Sequence, residues 1–225
     1  MAKLVLVRHG QSVWNLLNEF TGWVDVPLTK EGDEEARSAA ARLLNIKFDV
    51  AFTSQLIRAH QTLCVIFQER VDRILVFKHN AGKEALWEHY SNAKQWEVPV
   101  FKAMELNERH YGDLQGLNKQ DTIEKYGAIQ VQQWRRSYDV KPPGGESLAD
   151  TIARAAPYFE NHIFPFVKHG ENVIVVAHHN SLRGIIMHLE KLTPEQVVNV
   201  ELATGVPVVY DIDSNGAILN KQIAE

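Results

Sequence analysis

The sequence predicts an α/β fold in three layers, in which helices cover both faces of a mostly parallel central sheet. Short, strongly apolar runs indicate buried strands, and the segments between them repeat apolar residues at the spacing of a helix. The two kinds of segment alternate, which favours parallel strands joined by helices. The 225 residues suit one large domain or two small ones, and no composition shift, repeat or low-complexity run divides them. We therefore expect a single domain over residues 1–225.

The first half of the chain supplies three of the expected strands. The first is an apolar run that stops abruptly at Arg8. The helix after it has an acidic first turn at residues 33–35, followed by alanines and leucines at helical spacing. In order, we expect a strand over 3–7, a helix from about Thr29 to Leu44, a strand over 49–52, a helix over about 55–69 and a strand over 74–77.

The second half adds helices and closes with a hairpin. Ser147 and Asp150 form a capping box at the start of a helix, and Pro157 should kink or divide it. Residues 211–216 imitate the opening of a calcium loop, but the twelfth position is Gln222 rather than glutamate, so a hairpin turn is the better interpretation. In order, we expect a helix over about 147–168, a strand over 172–177, a helix from about Asn180 and hairpin strands over 208–212 and 218–221.

The composition excludes several classes of protein. The chain has 24 Lys and Arg against 28 Asp and Glu, a net charge of −4, which argues against electrostatic binding of nucleic acid or of an anionic membrane. No apolar run could span a bilayer, and the N-terminus lacks a secretory pattern. The single cysteine, Cys64, forms no internal disulfide, and its apolar helical surroundings predict a core position. These features indicate a soluble cytoplasmic protein.

Two of the expected strands end in unusual chemistry. The first runs into Arg8-His9-Gly10, and the clearest later strand runs into His178-His179 at the start of a helix. Ligands of parallel sheets collect beyond the carboxyl ends of the strands, so His9 and His178 meet if their strands are neighbours. A lone histidine after a strand is more often structural, but two such ends indicate a site. Arg58, early in a helix, adds a guanidinium near a helix N-terminus, and both favour phosphate.

Other chemical motifs are not supported. The sequence has no phosphate-binding loop of the Gly-x-x-x-x-Gly-Lys type and no dinucleotide glycine fingerprint. His9, His110, His178 and His179 lack the spacing of metal ligands, so we expect no metal.

Further motifs extend over nearly the whole chain. They are, in order, Arg8-His9-Gly10, Thr21-Gly22-Trp23, the block from Leu106 to Lys119, Trp134-Arg135-Arg136, Asn180-Ser181-Leu182-Arg183 and Thr204-Gly205-Val206-Pro207. Together they resemble the cofactor-dependent phosphoglycerate mutases of the histidine phosphatase superfamily. The first motif marks only the superfamily, whereas the others mark the mutase branch.

The resemblance implies a role for each motif residue. His9 is then the nucleophile that becomes phosphohistidine, and His178 stabilises the transition state from the opposite side. Glu108 resembles the general acid/base for the substrate hydroxyl; outside its motif it would be a surface carboxylate paired with Arg109. Arg8 and Arg58 resemble a catalytic clamp on the phosphoryl oxygens. The implied substrate-binding residues are Arg8, Gln11, Ser12, Asn15, Thr21, Gly22, Arg58, Glu108, Arg109, His110, Tyr111, Lys119, Arg135, Arg136, His179 and Asn180.

The implied function is the interconversion of 3-phosphoglycerate and 2-phosphoglycerate in glycolysis and gluconeogenesis. The resemblance implies a phosphohistidine enzyme and a 2,3-bisphosphoglycerate intermediate that also serves as the priming phosphate donor. It implies no metal, small phosphoglycerates as partners, and a homodimer or homotetramer.

The sequence departs from the family pattern in five places. Gln11 stands where glutamate is common, and His179 replaces a glycine. The loop at Gly144-Gly145 is short and the chain ends soon after its last expected strand, and less cover over the site favours hydrolysis. Residues 78–101 form an unusual insertion, either a locally packed helix or an altered subunit contact. Two alternatives to a mutase therefore stay open: a phosphatase of the same superfamily, and a phosphate-binding protein disabled by His179.

Overall fold

Seven strands form one sheet in the computed structural model, which describes residues 1–68, 70–71, 73–79 and 96–224. The strands are β1 (Ala2–Arg8), β2 (Val50–Thr53), β3 (Ile74–Phe77), β4 (Glu97–Lys102), β5 (Val173–Ala177), β6 (Pro207–Ile212) and β7 (Ile218–Ile223). Their order across the sheet is β3-β4-β2-β5-β1-β6-β7. The first five in that order are parallel, whereas β6 is antiparallel to both β1 and β7. The expected mostly parallel sheet is confirmed.

Helices cover both faces of this sheet. They are α1 (Val13–Leu16), α2 (Lys30–Leu43), α3 (Ile57–Gln68), α4 (Lys119–Tyr126), α5 (Ala128–Arg136), α6 (Leu148–Tyr158), α7 (Phe164–Lys168), α8 (His179–Glu190) and α9 (Pro194–Val197). Successive side chains of a strand point to opposite faces. Accordingly, Val5 and Val7 of β1 pack in one apolar core with α2 and α3, and Leu4 and Leu6 pack in the other with α7 and α8. The three-layer fold is confirmed.

The predicted helix cap, helix break and hairpin turn in the second half of the chain are also confirmed. Ser147 caps α6 in a capping box with Asp150. Pro157 lies near the end of α6, which gives way to a π turn over Phe159–Ile163 before α7 begins. In the β6–β7 hairpin the carboxylate of Asp213 accepts the backbone N–H groups of the turn, from residues 215 and 217. The acidic segment is therefore a hairpin turn.

Strand β4 is missing from the sequence prediction. It contains Pro99, which cannot donate to a ladder and normally argues against a strand inside a sheet. Nevertheless β4 pairs with β2 on one side and with β3 on the other. The end of the segment over 78–101 therefore lies in the sheet, and its being an insertion stays a prediction. Residues 80–95, where the inserted helix is expected, lie outside the described residues.

Two further predictions need correction. Helices α4 and α5 are not among the expected elements; they bury only Thr122, Val131 and Trp134, too few residues for a clear apolar period. The core position of Cys64 is wrong, because the residue lies on the outer side of α3 and is exposed. Among the helices of the described residues, none combines the length and apolar character needed to cross a membrane.

Candidate active site

The carboxyl ends of β1 and β5 bring two histidines together. The two strands are hydrogen-bonded neighbours, and the His9 N–H donates to the carbonyl of Ala177 at 3.0 Å. The rings of His9 and His178 lie 4.8 Å apart between centroids, and both side chains are buried. The predicted meeting of these histidines at one mouth of the sheet is confirmed.

The proton on the His9 ring lies on Nδ1. Nδ1 is 2.7 Å from the carbonyl oxygen of Gly10, which can only accept, so Nδ1 carries the proton and Nε2 keeps its lone pair. Burial lowers the pKa of His9 well below its usual value, and the charges of Arg58 and Arg8 lower it further. The ring is therefore neutral at physiological pH, which is the form that a nucleophile needs.

The loop after His9 is fixed against the start of α2. A Cβ atom on Gly10 would lie 2.2 Å from the carbonyl oxygen of Gly32, so only glycine allows the two backbones to approach this closely. The Glu35 carboxylate accepts the N–H of Gln11 and the hydroxyl of Thr204, both at 2.7 Å. The loop that carries the nucleophile is therefore held from several sides.

His178 is buried beside His9. Its Nε2 lies 2.8 Å from the hydroxyl of Ser54, whose oxygen already accepts the N–H of Leu56 at 3.1 Å. When the hydroxyl donates its proton to Nε2, the proton of His178 lies on Nδ1. Burial, followed by the charge of Arg58, lowers the pKa of this ring well below its usual value. Nδ1 is buried without a partner in the described part of the chain, which suits an oxygen of a ligand.

An open cleft of about 200 Å³ lies in front of His9. Its walls include six cationic side chains, from Arg8, Arg58, Lys119, Arg135, Arg136 and Arg183. They also include three carboxylates, from Glu19, Glu108 and Glu201. Further side chains in the lining come from Asn15, Phe20, Thr21, Tyr111, His179 and Asn180, and Gly22 contributes backbone. An excess of cations inside a chain of net charge −4 suits a small polyanion.

Arg58 is buried at the inner end of the cleft. Its two terminal nitrogens donate to the carbonyls of Val24 and Gly22, at 2.9 and 2.7 Å. Burial lowers the pKa of the guanidinium to about 10, so it stays charged at neutral pH. The Nε atoms of Arg8 and Arg58 and the Thr21 hydroxyl are buried without a partner among the residues described. Such orphaned donors fit the oxygens of a phosphoryl group.

Glu108 is a buried carboxylate held by one of its oxygens. Oε1 accepts from the backbone N–H of Arg109 at 2.7 Å and from Nδ2 of Asn180 at 2.8 Å. The Glu108 carbonyl accepts from Arg154 at 2.9 Å, and Arg154 in turn pairs with Glu146 at 2.8 Å. Glu108 is thus not a surface carboxylate paired with the Arg109 guanidinium. Its position leaves the second oxygen, Oε2, for the cleft.

Helices α4 and α5 supply the cations of the outer wall. Lys119 is the first residue of α4, and Arg135 and Arg136 lie in the last turn of α5. Gly127, with a φ of 85°, reverses the chain between the helices and brings their distant ends to the same cleft. Burial lowers the pKa of Lys119 to about 8, and the charges of Arg135 and Arg8 contribute to the shift.

Five of the sequence-predicted site residues do not line the cleft. His178 lies behind His9, and Ser12 is the buried N-cap of α1. The Gln11 side chain accepts from the hydroxyl of Thr29 at 2.9 Å, on the side of α2. Arg109 stacks on the ring of Tyr111 and donates to the carbonyl of Arg135 at 2.8 Å, so it supports the wall from behind. His110 packs edge-on against Trp23. The other predicted site residues lie in the lining.

His179 is the first residue of α8, so its side chain is accommodated in helical backbone without a left-handed conformation. Its Nε2 lies 3.3 Å from the carbonyl of Val200 and 3.5 Å from the Glu201 carboxylate. Burial lowers the pKa of His179 to about 3, with contributions from Arg183 and Arg8. The imidazole is neutral and lines the cleft.

Sequence reasoning missed four lining residues: Glu19, Phe20, Arg183 and Glu201. Arg183 had a usable signal, since it follows His179 and Asn180 by four and three residues and therefore shares a face of α8 with them. Glu201 lies in a loop after α9, where no periodic pattern predicts the direction of a side chain. Within the described residues, no three His, Cys, Asp or Glu side chains are grouped as a metal site would require. That no metal takes part stays a prediction.

Comparison with known proteins identifies the class. Residues 4–90 and 90–223 match the model of the histidine phosphatase superfamily, branch 1, and the chain belongs to this superfamily. Within it, the chain belongs with the 2,3-bisphosphoglycerate-dependent phosphoglycerate mutases. A curated protein of that name from Gloeothece citriformis is 50% identical over 98% of each chain. Another, from Pseudoalteromonas atlantica, is 49% identical over the whole of both chains, and one from Protochlamydia amoebophila is 52% identical over 95% of this chain and 96% of its own.

Solved structures agree with the fold. YhfR of Bacillus stearothermophilus superposes with a TM-score of 0.75 at 22% identity, covering 100% of this chain and 96% of its own. The α-ribazole phosphatase of Shigella flexneri gives 0.76 at 21% identity, covering 99% and 96%. At these identities the likeness concerns the fold alone.

Proposed function

We propose that the cleft interconverts 3-phosphoglycerate and 2-phosphoglycerate, with 2,3-bisphosphoglycerate as priming donor and intermediate. The observation that carries the proposal is the neutral His9 ring, whose free Nε2 faces a cleft lined by six cationic side chains. The names of the relatives, each about half identical over the full chain, support this substrate. The reaction belongs to glycolysis and gluconeogenesis, and we infer a cytoplasmic enzyme.

His9 carries the phosphoryl group between the two positions of the substrate. Bound 2,3-bisphosphoglycerate supplies the phosphoryl group that primes His9. The substrate hydroxyl then attacks phosphorus, so that an O–P bond forms as the N–P bond to His9 Nε2 breaks. Glu108 takes the hydroxyl proton through Oε2, because Oε1 already accepts three hydrogen bonds, one from the Arg109 backbone and two from Asn180. The bisphosphorylated intermediate returns its other phosphoryl group to His9 and regains the proton from Glu108.

The buried donors around His9 stabilise the charge of the transferring group. Arg8 and Arg58 each have an Nε donor without a partner in the described chain, and His178 offers Nδ1–H. Because these donors are fixed and desolvated before the reaction, they favour the transition state without reorganising. His178 itself stays neutral, so it acts as a hydrogen-bond donor and not as an acid.

The outer wall binds the rest of the substrate. Lys119, Arg135 and Arg136 hold its carboxylate and distal phosphate, with Tyr111, Asn15, Thr21, Gly22, Asn180 and His179 around them. The lining draws on residues from Arg8 to Glu201, which supports one functional domain over residues 1–225. A homodimer or homotetramer remains the expected assembly.

An enolase-coupled assay with purified protein and 3-phosphoglycerate tests the proposal. The protein is pretreated with EDTA, the chelator is removed, and the magnesium that enolase needs is restored. We expect activity that survives this pretreatment and rises when 2,3-bisphosphoglycerate is added. His9→Ala should abolish both phosphoenzyme and turnover. Release of inorganic phosphate without 2-phosphoglycerate would instead identify a phosphatase. If 2,3-bisphosphoglycerate with a radioactive phosphate does not label His9, the chain is a phosphate-binding protein rather than an enzyme.

A further inference from the structure

Glu201 places a carboxylate among the cations of the outer wall. Its Oε1 lies 2.7 Å from Nη1 of Arg136 and 3.5 Å from Nη2 of Arg183, and its Oε2 lies 3.5 Å from Nε2 of His179. Two of these partners come from the N-terminal part of α8 and the third from the end of α5. A carboxylate in this position occupies the space in which an anionic group of a ligand would meet the same donors.

The backbone around Glu201 is held by hydrogen bonds, whereas its side chain is largely exposed. The Val200 carbonyl accepts from Nε of Arg183 at 2.8 Å, and the Leu202 carbonyl accepts from Arg8 at 2.8 Å. The Glu201 side chain, in contrast, is 64% exposed. Rotation about its side-chain bonds would move the carboxylate into solvent without moving the loop. Glu201 thus combines a fixed backbone with an exposed carboxylate.

The ion pairs of Glu201 are of the kind that a ligand can replace. Arg136 is 47% exposed, and pairs between partly exposed side chains are screened by water and contribute little. Partial burial raises the pKa of Glu201, but the charges of Arg136 and Arg183 help to outweigh this effect, so the pKa is lowered and the carboxylate is ionised at neutral pH. A phosphate or carboxylate of a bound substrate would compete for the same donors, and a dianionic phosphate would compete best.

We propose that Glu201 is a specificity-determining residue that fills an anion subsite of Arg136, Arg183 and His179 until a substrate brings a second anionic group. This inference rests on the proposed function. A ligand with a phosphate and a second anion displaces the carboxylate and gains the donors. A phosphate ester that lacks a second anion leaves Glu201 in place and gains nothing from the subsite. Glu201 therefore favours substrates that carry a second anionic group beside the phosphate over phosphate esters that lack one.

Glu201→Gln and a matched pair of ligands test the inference. The ligands are 3-phosphoglycerate and glycerol 3-phosphate, which differ in that a hydroxymethyl group replaces the carboxylate. Calorimetric binding to enzyme that has not been primed avoids turnover. We expect Glu201→Gln to bind 3-phosphoglycerate about three- to tenfold more tightly, and glycerol 3-phosphate less than about twofold more tightly. Glu195→Gln, which removes an exposed carboxylate on α9, should change neither affinity.

Two results would overturn the inference. Weaker binding of 3-phosphoglycerate by Glu201→Gln would mean that Glu201 holds Arg136 and Arg183 in place for the substrate. An equal gain for both ligands would mean that only the overall charge of the cleft had changed. Failure of the proposed function would look different, because the unaltered protein would then form no 2-phosphoglycerate from 3-phosphoglycerate.

Discussion

Hydrogen bonds hold Oε1 of Glu108, whereas Oε2 is left to exchange a proton with the substrate. Oε1 accepts three hydrogen bonds, from the Arg109 backbone and from the backbone and side-chain amides of Asn180, which orient the carboxylate at the cleft wall. Glu108→Gln keeps the shape and the anchored oxygen but replaces the other by an amide nitrogen that cannot take a proton. We expect turnover of 3-phosphoglycerate to fall by roughly 10²–10⁴, the usual contribution of a general acid/base. Labelling of His9 by bisphosphoglycerate should persist at a lower rate, and full activity would refute the role.

In the proposed mechanism the hydroxyl of Ser54 selects the tautomer of His178. By donating to Nε2, which lies 2.8 Å away, it keeps the Nδ1 proton available beside His9. Ser54→Ala removes this selection, so that His178 no longer keeps a proton on Nδ1 for the charged phosphoryl group. We expect kcat to fall by roughly 10- to 100-fold, the usual effect of losing a hydrogen bond to a charged group, with little change in KM. Ser54→Thr keeps the hydroxyl and should restore most of kcat. If alanine and threonine variants lose activity equally, packing rather than the hydroxyl is responsible.

At the residue scale, the sequence predicts reactive groups better than their neighbours. His9 and His178 follow from the ends of two buried strands, because parallel neighbours must meet at one edge. Gln11 and His110 turn away from the cleft, toward Thr29 and Trp23. Such directions depend on loop conformation, and loops carry no period from which side-chain direction follows.

At the scale of elements, α4 and α5 gather cations that lie far apart in sequence. Burial in this wall, with the charges of Arg135 and Arg8, brings the pKa of Lys119 to about 8. As the pH rises through this value the free enzyme loses a positive charge from its substrate site. We expect kcat/KM for 3-phosphoglycerate to fall with rising pH from about pH 8, by up to about tenfold per unit.

Lys119→Arg tests this assignment, since a guanidinium keeps its charge at higher pH. The fall in kcat/KM should move to a higher pH in this variant. Lys125→Arg makes the same exchange at the exposed end of α4, away from the cleft, and should leave the profile unchanged. A profile that is identical in all three proteins would assign the fall to another group.

The missed elements have two different physical causes. Sequence periodicity reports burial, and α4 and α5 bury little because they border only the small cluster of Phe20, Leu114, Val131 and Trp134. Strand β4 buries Val98 and Val100, but its Pro99 argues against a strand when the sequence is considered alone. By contrast, residues 4–7 of β1 and all of β5 are apolar runs within the sheet, and their sequences alone predict them. Elements that serve the site with charged residues are thus harder to predict than elements that build the core.

At the scale of the whole molecule, the site is built at a cost in acid stability. Burial lowers the pKa of His9, His178, His179 and His60 in the folded state. The unfolded chain takes up a proton on each of these rings below its ordinary pKa of about 6.5, whereas the folded chain does not. The free energy of unfolding should therefore decrease as the pH falls from about 6.5, at a pH above the range in which carboxylates titrate. The limiting slope is about 1.4 kcal/mol per pH unit for each histidine that stays neutral in the fold.

Urea unfolding between pH 7.5 and 5.0 measures this effect. We expect a nearly constant free energy of unfolding above pH 7 and a steep decline below about pH 6, of several kcal/mol over the range. His9→Asn removes one of the buried rings, so the slope below pH 6 should be lower by about 1.4 kcal/mol per pH unit. A slope that does not change in this variant would mean that His9 is protonated in the folded enzyme. Since a protonated ring has no lone pair on Nε2, that result would also contradict its role as the nucleophile.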